Sequence, residues 1–503
     1  MSSEVRVAVI GAGAMGRGIA QVFAAADFGV TLCDSQPGVA AQAKDGVAKQ
    51  LDRSVQKGSL QASAAAATLR RITVGDALTA ISGVTLVVEA IIEDLEAKQK
   101  LFAQIEGLVS DDCIIASNTS SLSITSLAAR CRRPERVAGF HFFNPVPVMR
   151  LIEVIDGLRT DCAVVDELER IGKKIGKEVV RVKDTPGFLV NQIGRGFTLE
   201  AMHLVAEGVS TCADVDRVMR DAAGFRMGPF ELLDMVGLDV NHPATEAIYS
   251  QFYHEPRYRP SVLMDSRVRA GLLGRKTNAG FYVYKDGKPL HEPEPVAPTA
   301  SSVPPVWVSQ DEPAEAAAVI AMLARVGVPV QATDKPSAEA LCLITPLGED
   351  ASRSAARQGL DPVRTVAIDT LFGLDKRRTL MTTCVTSAEW RNAAHAILAS
   401  DAVPVTVIRD SPGFIAQRIL AMIVNIGTAL AQSRTALPAD IDKAVKLALS
   451  YPQGPLAFGD SLGVTRIGKI LRNLYSSYSD PRYRQNLWIA RRAALGIGLH
   501  EGD

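Results

Sequence analysis

A histidine and a glutamate stand twelve residues apart in this chain of 503 residues, at His141 and Glu153. An imidazole with a carboxylate able to reach its far nitrogen has the parts of an oriented general base, which could take a proton from an alcohol. A hydroxyl-rich run, residues 117–121 (SNTSS), precedes the pair. A lone histidine among phenylalanines is more often an ordinary core residue. The catalytic interpretation therefore depends on what lies upstream.

Upstream, a short apolar run at residues 5–10 breaks at the glycine-rich sequence GAGAMG, residues 11–16. A helical pattern follows, and a second apolar run ends at Asp34, which completes the βαβ context of a dinucleotide-binding fingerprint. The first glycine allows the tight turn, the second lets the backbone approach a pyrophosphate, and the third lets helix and strand pack closely. The helix N-terminus would bind the phosphates. The residues predicted to bind the cofactor here are Gly11, Gly13, Ala14, Met15 and Gly16.

Asp34 decides between the two nicotinamide cofactors. Its carboxylate would accept hydrogen bonds from both ribose hydroxyls and would repel a 2′-phosphate. The next residues, 35–37 (SQP), offer no arginine to offset that repulsion. We therefore predict NAD and not NADP.

Composition narrows the class of protein. Hydrophobic residues make up 47% and charged residues 22%, and Lys+Arg and Asp+Glu both number 55. With no net charge, no global field would recruit nucleic acid or a membrane. The seven cysteines are scattered and lack Cys-x-x-Cys spacing, which favours reduced thiols and no zinc site. We expect a soluble cytoplasmic protein of several domains, with no signal segment, no membrane span and no bound metal.

Two further patterns belong to the same α/β region. A long polar helical region is predicted from about Pro37 to Arg71, and three basic residues at four-residue spacing would share one face of it: Lys49, Arg53 and Lys57. The spacing alone favours a solvated basic face over a site for ligand phosphates. Val84–Ala90 and Cys113–Ser117 are predicted strands. The second one ends in the hydroxyl-rich run, at the carboxyl end of a strand, where ligands bind in open α/β sheets.

Five segments resemble the L-3-hydroxyacyl-CoA dehydrogenases of fatty-acid β-oxidation and related pathways. They are residues 11–20 (GAGAMGRGIA), 117–121 (SNTSS), 139–155 (GFHFFNPVPVMRLIEVI), 184–191 (DTPGFLVN) and 274–282 (GRKTNAGFY). Together they span about the first 285 residues. The resemblance implies a Rossmann-type NAD-binding α/β domain followed by the all-α C-terminal domain of this family. It also implies NAD-dependent, reversible oxidation of an L-3-hydroxyacyl-CoA to the 3-ketoacyl-CoA.

The resemblance assigns a role to each matched position. His141 would be the base that takes the 3-hydroxyl proton, and Glu153 its partner. Ser120 and Asn191 would hydrogen-bond the reacting oxygen and the base, which makes Ser120 a substrate-binding residue as well. The positions matched to cofactor contacts are Glu93, Lys98, Asn144 and Lys276. Lys57 matches a position that meets the CoA, which favours a ligand role for this lysine.

The second half repeats the first. Residues 410–414 (DSPGF) follow residues 184–188 (DTPGF) at an offset of 226, and residues 364–369 (RTVAID) echo residues 136–141 (RVAGFH) at 228. One nearly constant offset predicts a degenerate second copy, a shortened α/β region plus a second all-α domain. That copy has no glycine fingerprint. Aligned in this way, His141 becomes Asp369, Glu153 becomes Met381 and Asn191 becomes Gln417, so we expect the second half to be catalytically silent. The predicted domains are 1–183 (NAD-binding), 184–285 (first helical domain), 286–305 (Pro-rich linker), 306–408 (degenerate Rossmann-like region) and 409–503 (second helical domain).

In single-copy members of the family, the helical domain forms a two-fold dimer interface. The tandem copy would then make an intramolecular pseudo-dimer with one active site, and further homo-oligomerisation stays open. The layout is similar to long-form enzymes of phenylacetate degradation, which implies 3-hydroxyadipyl-CoA or 3-hydroxybutyryl-CoA as substrate. Arg195 and Arg226 are candidates for binding a terminal carboxylate, although surface arginine is the more frequent case. The alternatives are a dehydrogenase of a free hydroxy acid or sugar acid, and a non-catalytic NAD-binding structural protein.

Overall fold

The computed structural model describes residues 5–299 and 303–502, and it divides into two compact units. The first unit runs to Asn191 and also includes Ser433–Leu449. The second contains Gln192–Gln432 and the residues from Ser450 onward. Positions 300–302 of the predicted linker lie outside the described residues. No helix in the described ranges is both long and apolar enough to cross a lipid bilayer.

The first unit is built on an eight-stranded sheet. Its strands are β1 (Arg6–Ile10), β2 (Gly29–Cys33), β3 (Ile72–Gly75), β4 (Leu86–Glu89), β5 (Ile114–Ser117), β6 (Val137–Phe142), β7 (Leu151–Asp156) and β8 (Glu178–Lys183). Its helices up to β8 are α1 (Ala14–Ala25), α2 (Val39–Gln56), α3 (Ala62–Arg70), α4 (Leu95–Glu106), α5 (Ile124–Ala128) and α6 (Cys162–Lys174). The strand order is β3-β2-β1-β4-β5-β6-β7-β8. All neighbours are parallel except β6 and β7, so the last two strands run against the other six.

Helices cover the sheet because its strands are apolar on both faces. All side chains of β4, β5 and β6 are buried, as expected for central strands flanked by helices. Phe23 of α1 packs against Phe140 and Phe142 of β6, with ring centroids 6.4 Å apart in each case. The single helical region predicted between Pro37 and Arg71 is wrong in one respect. It is two helices, α2 and α3, separated at Gly58, whose φ of +70° no regular helix accommodates.

The second unit combines helices with a smaller sheet. Its remaining strands are β9 (Tyr284–Lys285), β10 (Lys288–Pro289), β11 (Val306–Val308), β12 (Leu341–Ile344), β13 (Thr365–Ile368), β14 (Arg378–Thr382) and β15 (Val405–Ile408). The remaining helices of the chain are α7 (Val190–Ala206), α8 (Cys212–Arg217), α9 (Pro229–Val236), α10 (Leu238–Gln251), α11 (Val262–Arg269), α12 (Pro313–Arg325), α13 (Ala351–Arg357), α14 (Ala388–Leu398), α15 (Ala416–Gln432), α16 (Pro438–Ala448), α17 (Pro455–Leu462), α18 (Val464–Tyr478) and α19 (Leu487–Leu495), of which α16 belongs to the first unit.

The five-stranded sheet β11-β12-β13-β14-β15 has the topology of β4 to β8. In both sheets three parallel strands are followed by two strands of opposite direction. What is missing is the counterpart of β1, β2 and β3, which in the first unit holds the glycine-rich turn. The strand expected at 328–331 is wrong, because Val330 makes a single bridge to Val306.

Within the second unit, α7 packs closely on α15. A Cβ built on Gly196 of α7 would lie 3.3 Å from the Ile423 Cα of α15, so only a small residue fits there. Next to this contact, the fully buried Arg418 guanidinium of α15 donates to the carboxylates of Glu200 and Glu207. A buried arginine between two carboxylates satisfies the charge that burial would otherwise leave exposed to low dielectric.

Part of the predicted linker is held in place. Residues 288–289 pair with 284–285 as β10 and β9, so the linker does not begin directly after Lys285. Further along, Arg217 donates to the Pro293 carbonyl. The buried Arg377 guanidinium donates to both Glu294 carboxylate oxygens, at 2.8 and 2.9 Å. These contacts fix residues 293–294 on the second unit.

Candidate active site

The glycine-rich turn connects β1 to α1 and has the geometry that a dinucleotide needs. Gly11 has φ of +97°, and a Cβ there would lie 2.5 Å from the Ala90 carbonyl oxygen. A Cβ on Gly16 would lie 1.7 Å from the Gly11 carbonyl oxygen. A Cβ on Gly13 would meet nothing within 4 Å, so this position faces open space. The turn is therefore tight at its ends and open in the middle, where a pyrophosphate would approach the backbone.

The N-terminus of α1 suits an anion for a second reason. Its N-cap is Gly13, which has no side chain to accept the first N–H groups of the helix. These unpaired groups, on Ala14 and Met15, and the positive end of the helix dipole favour phosphate. At the end of β2, the Asp34 carboxylate accepts from Ala12 N at 2.8 Å and from Gln36 N at 2.9 Å. These residues fit NAD.

His141 and Glu153 lie directly opposite each other on the antiparallel strands β6 and β7. Because paired residues project from the same face of a sheet, the twelve-residue separation brings the side chains together. His141 Nδ1 lies 2.7 Å from Glu153 Oε2, and both side chains are buried. The other oxygen, Oε1, accepts from Leu189 N at 3.2 Å and Val190 N at 3.0 Å. The carboxylate is thereby fixed from two directions.

This pairing sets the tautomer of the imidazole. An ionised carboxylate can only accept, so Nδ1 carries the proton that it shares with Glu153, and Nε2 keeps its lone pair. Phe143 and Phe188 contact the imidazole, at centroid distances of 4.5 and 5.8 Å, and limit its rotation. The arrangement can therefore take up one proton at Nε2 and stabilise the imidazolium that results.

Ser120 and Asn191 also come together. Asn191 Nδ2 donates to the Ser120 carbonyl oxygen at 3.3 Å. Asn118, at the end of β5, accepts from Phe142 N at 2.8 Å through its amide oxygen, which joins the hydroxyl-rich turn to β6 beside His141. The turn is thus placed at the carboxyl ends of β5 and β6, where ligands bind in open sheets.

Glu93 organises that turn. One of its oxygens accepts from Thr119 Oγ1 at 2.6 Å, Ser120 N at 2.9 Å and Ser121 Oγ at 3.0 Å. Burial by itself would raise the pKa of Glu93, but the Lys98 ammonium and the hydrogen bonds from the turn outweigh it, so the pKa lies below its ordinary value. Glu93 is accordingly charged at neutral pH.

Glu89 is a site residue that the sequence reasoning missed. It ends β4, is fully buried, and accepts from Lys98 Nζ and Ser117 Oγ, at 2.6 Å each, and from Ile91 N at 2.6 Å. The signal was available: a carboxylate inside an apolar strand needs a cation or several donors to be buried. Lys98, expected to contact the cofactor, is itself buried between Glu89 and Glu93.

The remaining predicted residues lie on the surface. Lys57 follows the end of α2 and is exposed, and Asn144 is exposed two residues after β6. Lys276 belongs to the second unit, where its ammonium pairs with Asp239. Of the two arginines considered for a terminal carboxylate, Arg226 is exposed and Arg195 is buried.

The second sheet contains no equivalent of the base and its partner. Asp369 is buried and accepts from Gln417 Nε2 at 3.0 Å. Burial raises its pKa to about 6. The alignment of Glu153 with Met381 is wrong if His141 matches Asp369, because Met381 pairs with Ala367 in the β13–β14 register. Asp369 lies instead opposite Thr379, whose carbonyl accepts from Asp369 N at 3.1 Å.

With this geometry in place, the comparisons with known proteins can be stated. Residues 6–185 match the NAD-binding domain of 3-hydroxyacyl-CoA dehydrogenase. Residues 187–284 and, separately, 413–502 match the C-terminal domain of the same enzymes. The chain belongs to the 3-hydroxyacyl-CoA dehydrogenase family and is an NAD-dependent oxidoreductase. The predicted fold class, a Rossmann-type domain followed by a helical domain of this family, is confirmed, as is the NAD cofactor.

Three relatives define its position in the family. It is 36% identical over 495 residues to 3-hydroxyadipyl-CoA dehydrogenase of Escherichia coli K12, covering 98% of both chains. It is 41% identical over 286 residues to the human mitochondrial hydroxyacyl-coenzyme A dehydrogenase, covering 56% of this chain and 91% of that protein. Among solved structures, 3-hydroxybutyryl-CoA dehydrogenase of Escherichia coli K12 superposes with a TM-score of 0.86 at 34% identity, covering 98% of this chain and 99% of the other. The likeness to the bacterial proteins thus includes both halves.

Proposed function

We propose that this enzyme oxidises the 3-hydroxyl of an L-3-hydroxyacyl-CoA with His141 as the general base. The observation that carries the proposal is the buried contact of 2.7 Å between His141 Nδ1 and Glu153. NAD, when bound, supplies the acceptor for the hydride that leaves C3. His141 Nε2 takes the hydroxyl proton, and Glu153 stabilises the imidazolium. Ser120 and Asn191 hold the reacting oxygen toward the base.

Other residues have supporting roles in this proposal. The glycine-rich turn and Asp34 hold the cofactor, together with the positions matched to cofactor contacts, which are Glu93, Lys98, Asn144 and Lys276. The structure favours an indirect role for Lys98, since its ammonium is buried against Glu89. Lys57 is placed at the CoA by the resemblance, and its exposure at the end of α2 is compatible with binding a phosphate.

The direct test replaces the base. A correctly placed general base contributes roughly 10²–10⁴-fold in rate, so His141→Ala should lose turnover by that factor while NADH binding stays near wild type. The matched control is His500→Ala, because His500 Nδ1 also lies 2.7 Å from a carboxylate, that of Asp460, in the second unit. The control should keep full turnover. Wild-type turnover in His141→Ala would overturn the proposal.

For the substrate, we propose 3-hydroxyadipyl-CoA, the acyl-CoA in the name of the full-length relative from Escherichia coli. The superposed structure carries the name of 3-hydroxybutyryl-CoA, which is therefore the second candidate. Comparing acetoacetyl-CoA with free acetoacetate, each with NADH, separates both from a dehydrogenase of free hydroxy acids. Equal kcat/KM for the two would contradict recognition of CoA. The seven free thiols favour a reducing compartment such as the cytoplasm.

We infer that the two helical domains form an intramolecular pseudo-dimer, with the predicted bounds 184–285 and 409–503. The close approach of α7 to α15 at Gly196 and the burial of Arg418 between Glu200 and Glu207 support this. A chain that ends at Lys285 would expose this face of α7. It should dimerise or aggregate during gel filtration. A monomeric, fully active fragment would contradict the inference.

A further inference from the structure

Arg195 on α7 is a buried cation without a counter-ion. Its side chain is 5% exposed, and one guanidinium nitrogen donates to Asn241 Oδ1 at 3.1 Å. Its Nε has no partner, and no carboxylate in the described part of the chain lies within ion-pair distance of it. Burial lowers the pKa of Arg195 to about 10, so it still carries its charge at neutral pH. Such a group is expensive to bury unless something pairs with it.

The contrast with Arg418 in the same unit makes this informative. Arg418 is equally buried, but it donates to Glu200 and Glu207. The fold therefore supplies carboxylates where an arginine serves packing alone. At Arg195 it supplies only the neutral amide oxygen of Asn241, which orients the guanidinium without neutralising it.

A second buried donor without a partner lies beside Arg195. The Tyr451 hydroxyl is buried and makes no hydrogen bond, and its phenol is close enough for the Arg195 charge to act on it. Burial raises the pKa of Tyr451, so the hydroxyl stays protonated and can donate. Phe197 and Phe225 contact the Tyr451 ring, at centroid distances of 5.6 and 4.9 Å. Two unsatisfied donors among aromatic rings form a dry site for an anion.

Helix geometry relates this site to the reacting end of the substrate. Arg195 follows Asn191 by four residues on α7, so both lie on one face of the helix, about 6 Å apart along its axis. Long helical side chains lean toward the helix N-terminus, which for Arg195 is the turn that carries Asn191. In a 3-hydroxyadipyl group, three C–C bonds separate C3 from the terminal carboxyl carbon and span at most about 4 Å. The two lengths are compatible.

We propose that Arg195 and Tyr451 bind the terminal carboxylate of a dicarboxylic 3-hydroxyacyl-CoA, with Asn241 holding the guanidinium in place. The proposal rests on the proposed function, in which Asn191 meets the reacting oxygen. The carboxylate would accept from Arg195 Nε and from the Tyr451 hydroxyl, satisfying both. A chain that ends in methyl would leave both donors unpaired, which is how a polar site rejects an apolar analogue. Tyr451 lies in the second half of the chain, so the silent copy would contribute to substrate selection.

The test compares two substrates of equal chain length, 3-hydroxyadipyl-CoA and 3-hydroxyhexanoyl-CoA, in the full-length enzyme. Wild type should favour the dicarboxylic substrate by about 100-fold or more in kcat/KM. Arg195→Met removes the cation and keeps an unbranched apolar side chain. It should lower kcat/KM for 3-hydroxyadipyl-CoA about 100-fold and leave that for 3-hydroxyhexanoyl-CoA unchanged or raised. Tyr451→Phe should give a loss of about 10-fold, again confined to the dicarboxylic substrate.

Arg226→Met is the matched control, because Arg226 is an exposed arginine of the same unit and its loss should not alter the preference. Binding of adipyl-CoA, which lacks the reacting hydroxyl, gives a readout independent of turnover. Arg195→Met should weaken it relative to hexanoyl-CoA. Equal losses on both substrates, or an unchanged preference, would overturn the role of Arg195 while the dehydrogenase function stands. Failure of wild type to oxidise either substrate would instead overturn the proposed function.

Discussion

Replacing Glu153 by glutamine should stop the enzyme by reversing the tautomer of His141, although the substitution changes one atom. Leu189 N and Val190 N both donate to Glu153 Oε1, at 3.2 and 3.0 Å. A glutamine would keep its carbonyl oxygen toward these two donors, which turns its NH₂ group toward His141. The imidazole Nδ1 must then accept, and the ring proton moves to Nε2, the nitrogen that should take the substrate proton.

The size of the effect follows from the burial of the pair. To restore the active tautomer, the variant must leave an Nδ1–H facing an NH₂ group, with two buried donors unsatisfied. Each costs about 1–3 kcal/mol, or about 2–6 kcal/mol together. At 1.36 kcal/mol for each factor of ten, this is a loss of about 10²–10⁴-fold in kcat. Loss of the negative charge beside the imidazolium acts in the same direction.

The assay measures kcat, KM for the acyl-CoA and NADH affinity side by side. Glu153→Gln should lower kcat at least about 100-fold and leave KM and NADH affinity near wild type, since the substitution preserves shape. Asp460→Asn is the control, because it alters the equivalent contact of 2.7 Å to His500 without touching the site. A fall in kcat of less than tenfold would refute the idea that Glu153 sets the tautomer. A parallel loss of NADH binding would indicate a folding defect.

Two further predictions concern the cofactor and the silent half. Asp34→Asn keeps an oxygen for Ala12 N but removes the charge that repels a 2′-phosphate, so the ratio of kcat/KM for NAD over NADP should fall about tenfold or more; an unchanged ratio would mean that Asp34 does not select the cofactor. Burial raises the pKa of Asp369 to about 6, above its unfolded value, so ionisation destabilises the folded state as pH rises from about 4 through 6. Asp369→Asn should therefore raise the free energy of unfolding by about 2–3 kcal/mol at pH 7, with a gain that shrinks toward pH 4, and should leave turnover unchanged; a pH-independent gain would contradict this cause.

The base and its partner could be predicted because local rules bring them together. A strand, a short connection and a second strand separate His141 from Glu153, and antiparallel pairing puts them on one face. The glycine-rich turn could be predicted for a similar reason, since each glycine answers a steric demand inside one βαβ unit. Both features depend on residues near one another in sequence.

Features set by distant contacts could not be predicted. The register of β13 and β14 differs from that of β6 and β7, so a constant offset from Glu153 leads to Met381, which pairs with Ala367. A sequence offset fixes position along the chain but not pairing across strands. Arg195 is a second case. Its composition is that of any surface arginine, and its significance comes from groups at Asn241 and Tyr451, far away in sequence.

The second half has kept contacts that build the fold and lacks those that perform chemistry. Asp184 accepts from Thr125 N at 2.8 Å, and Asp410 accepts from Ser352 N at 3.2 Å in the equivalent turn. Asn191 donates to the Ser120 carbonyl, and Gln417 donates to the Pro346 carbonyl, both partners displaced by 226 residues.

The base, its carboxylate partner and the strands that hold the glycine-rich turn have no such counterpart in the second sheet. A domain that retains its packing contacts without its catalytic groups has to act through its surface. The packing of α15 on α7 and the placement of Tyr451 beside Arg195 are the two ways in which it reaches the working half. The Tyr451→Phe variant tests whether the second of these reaches the substrate as well.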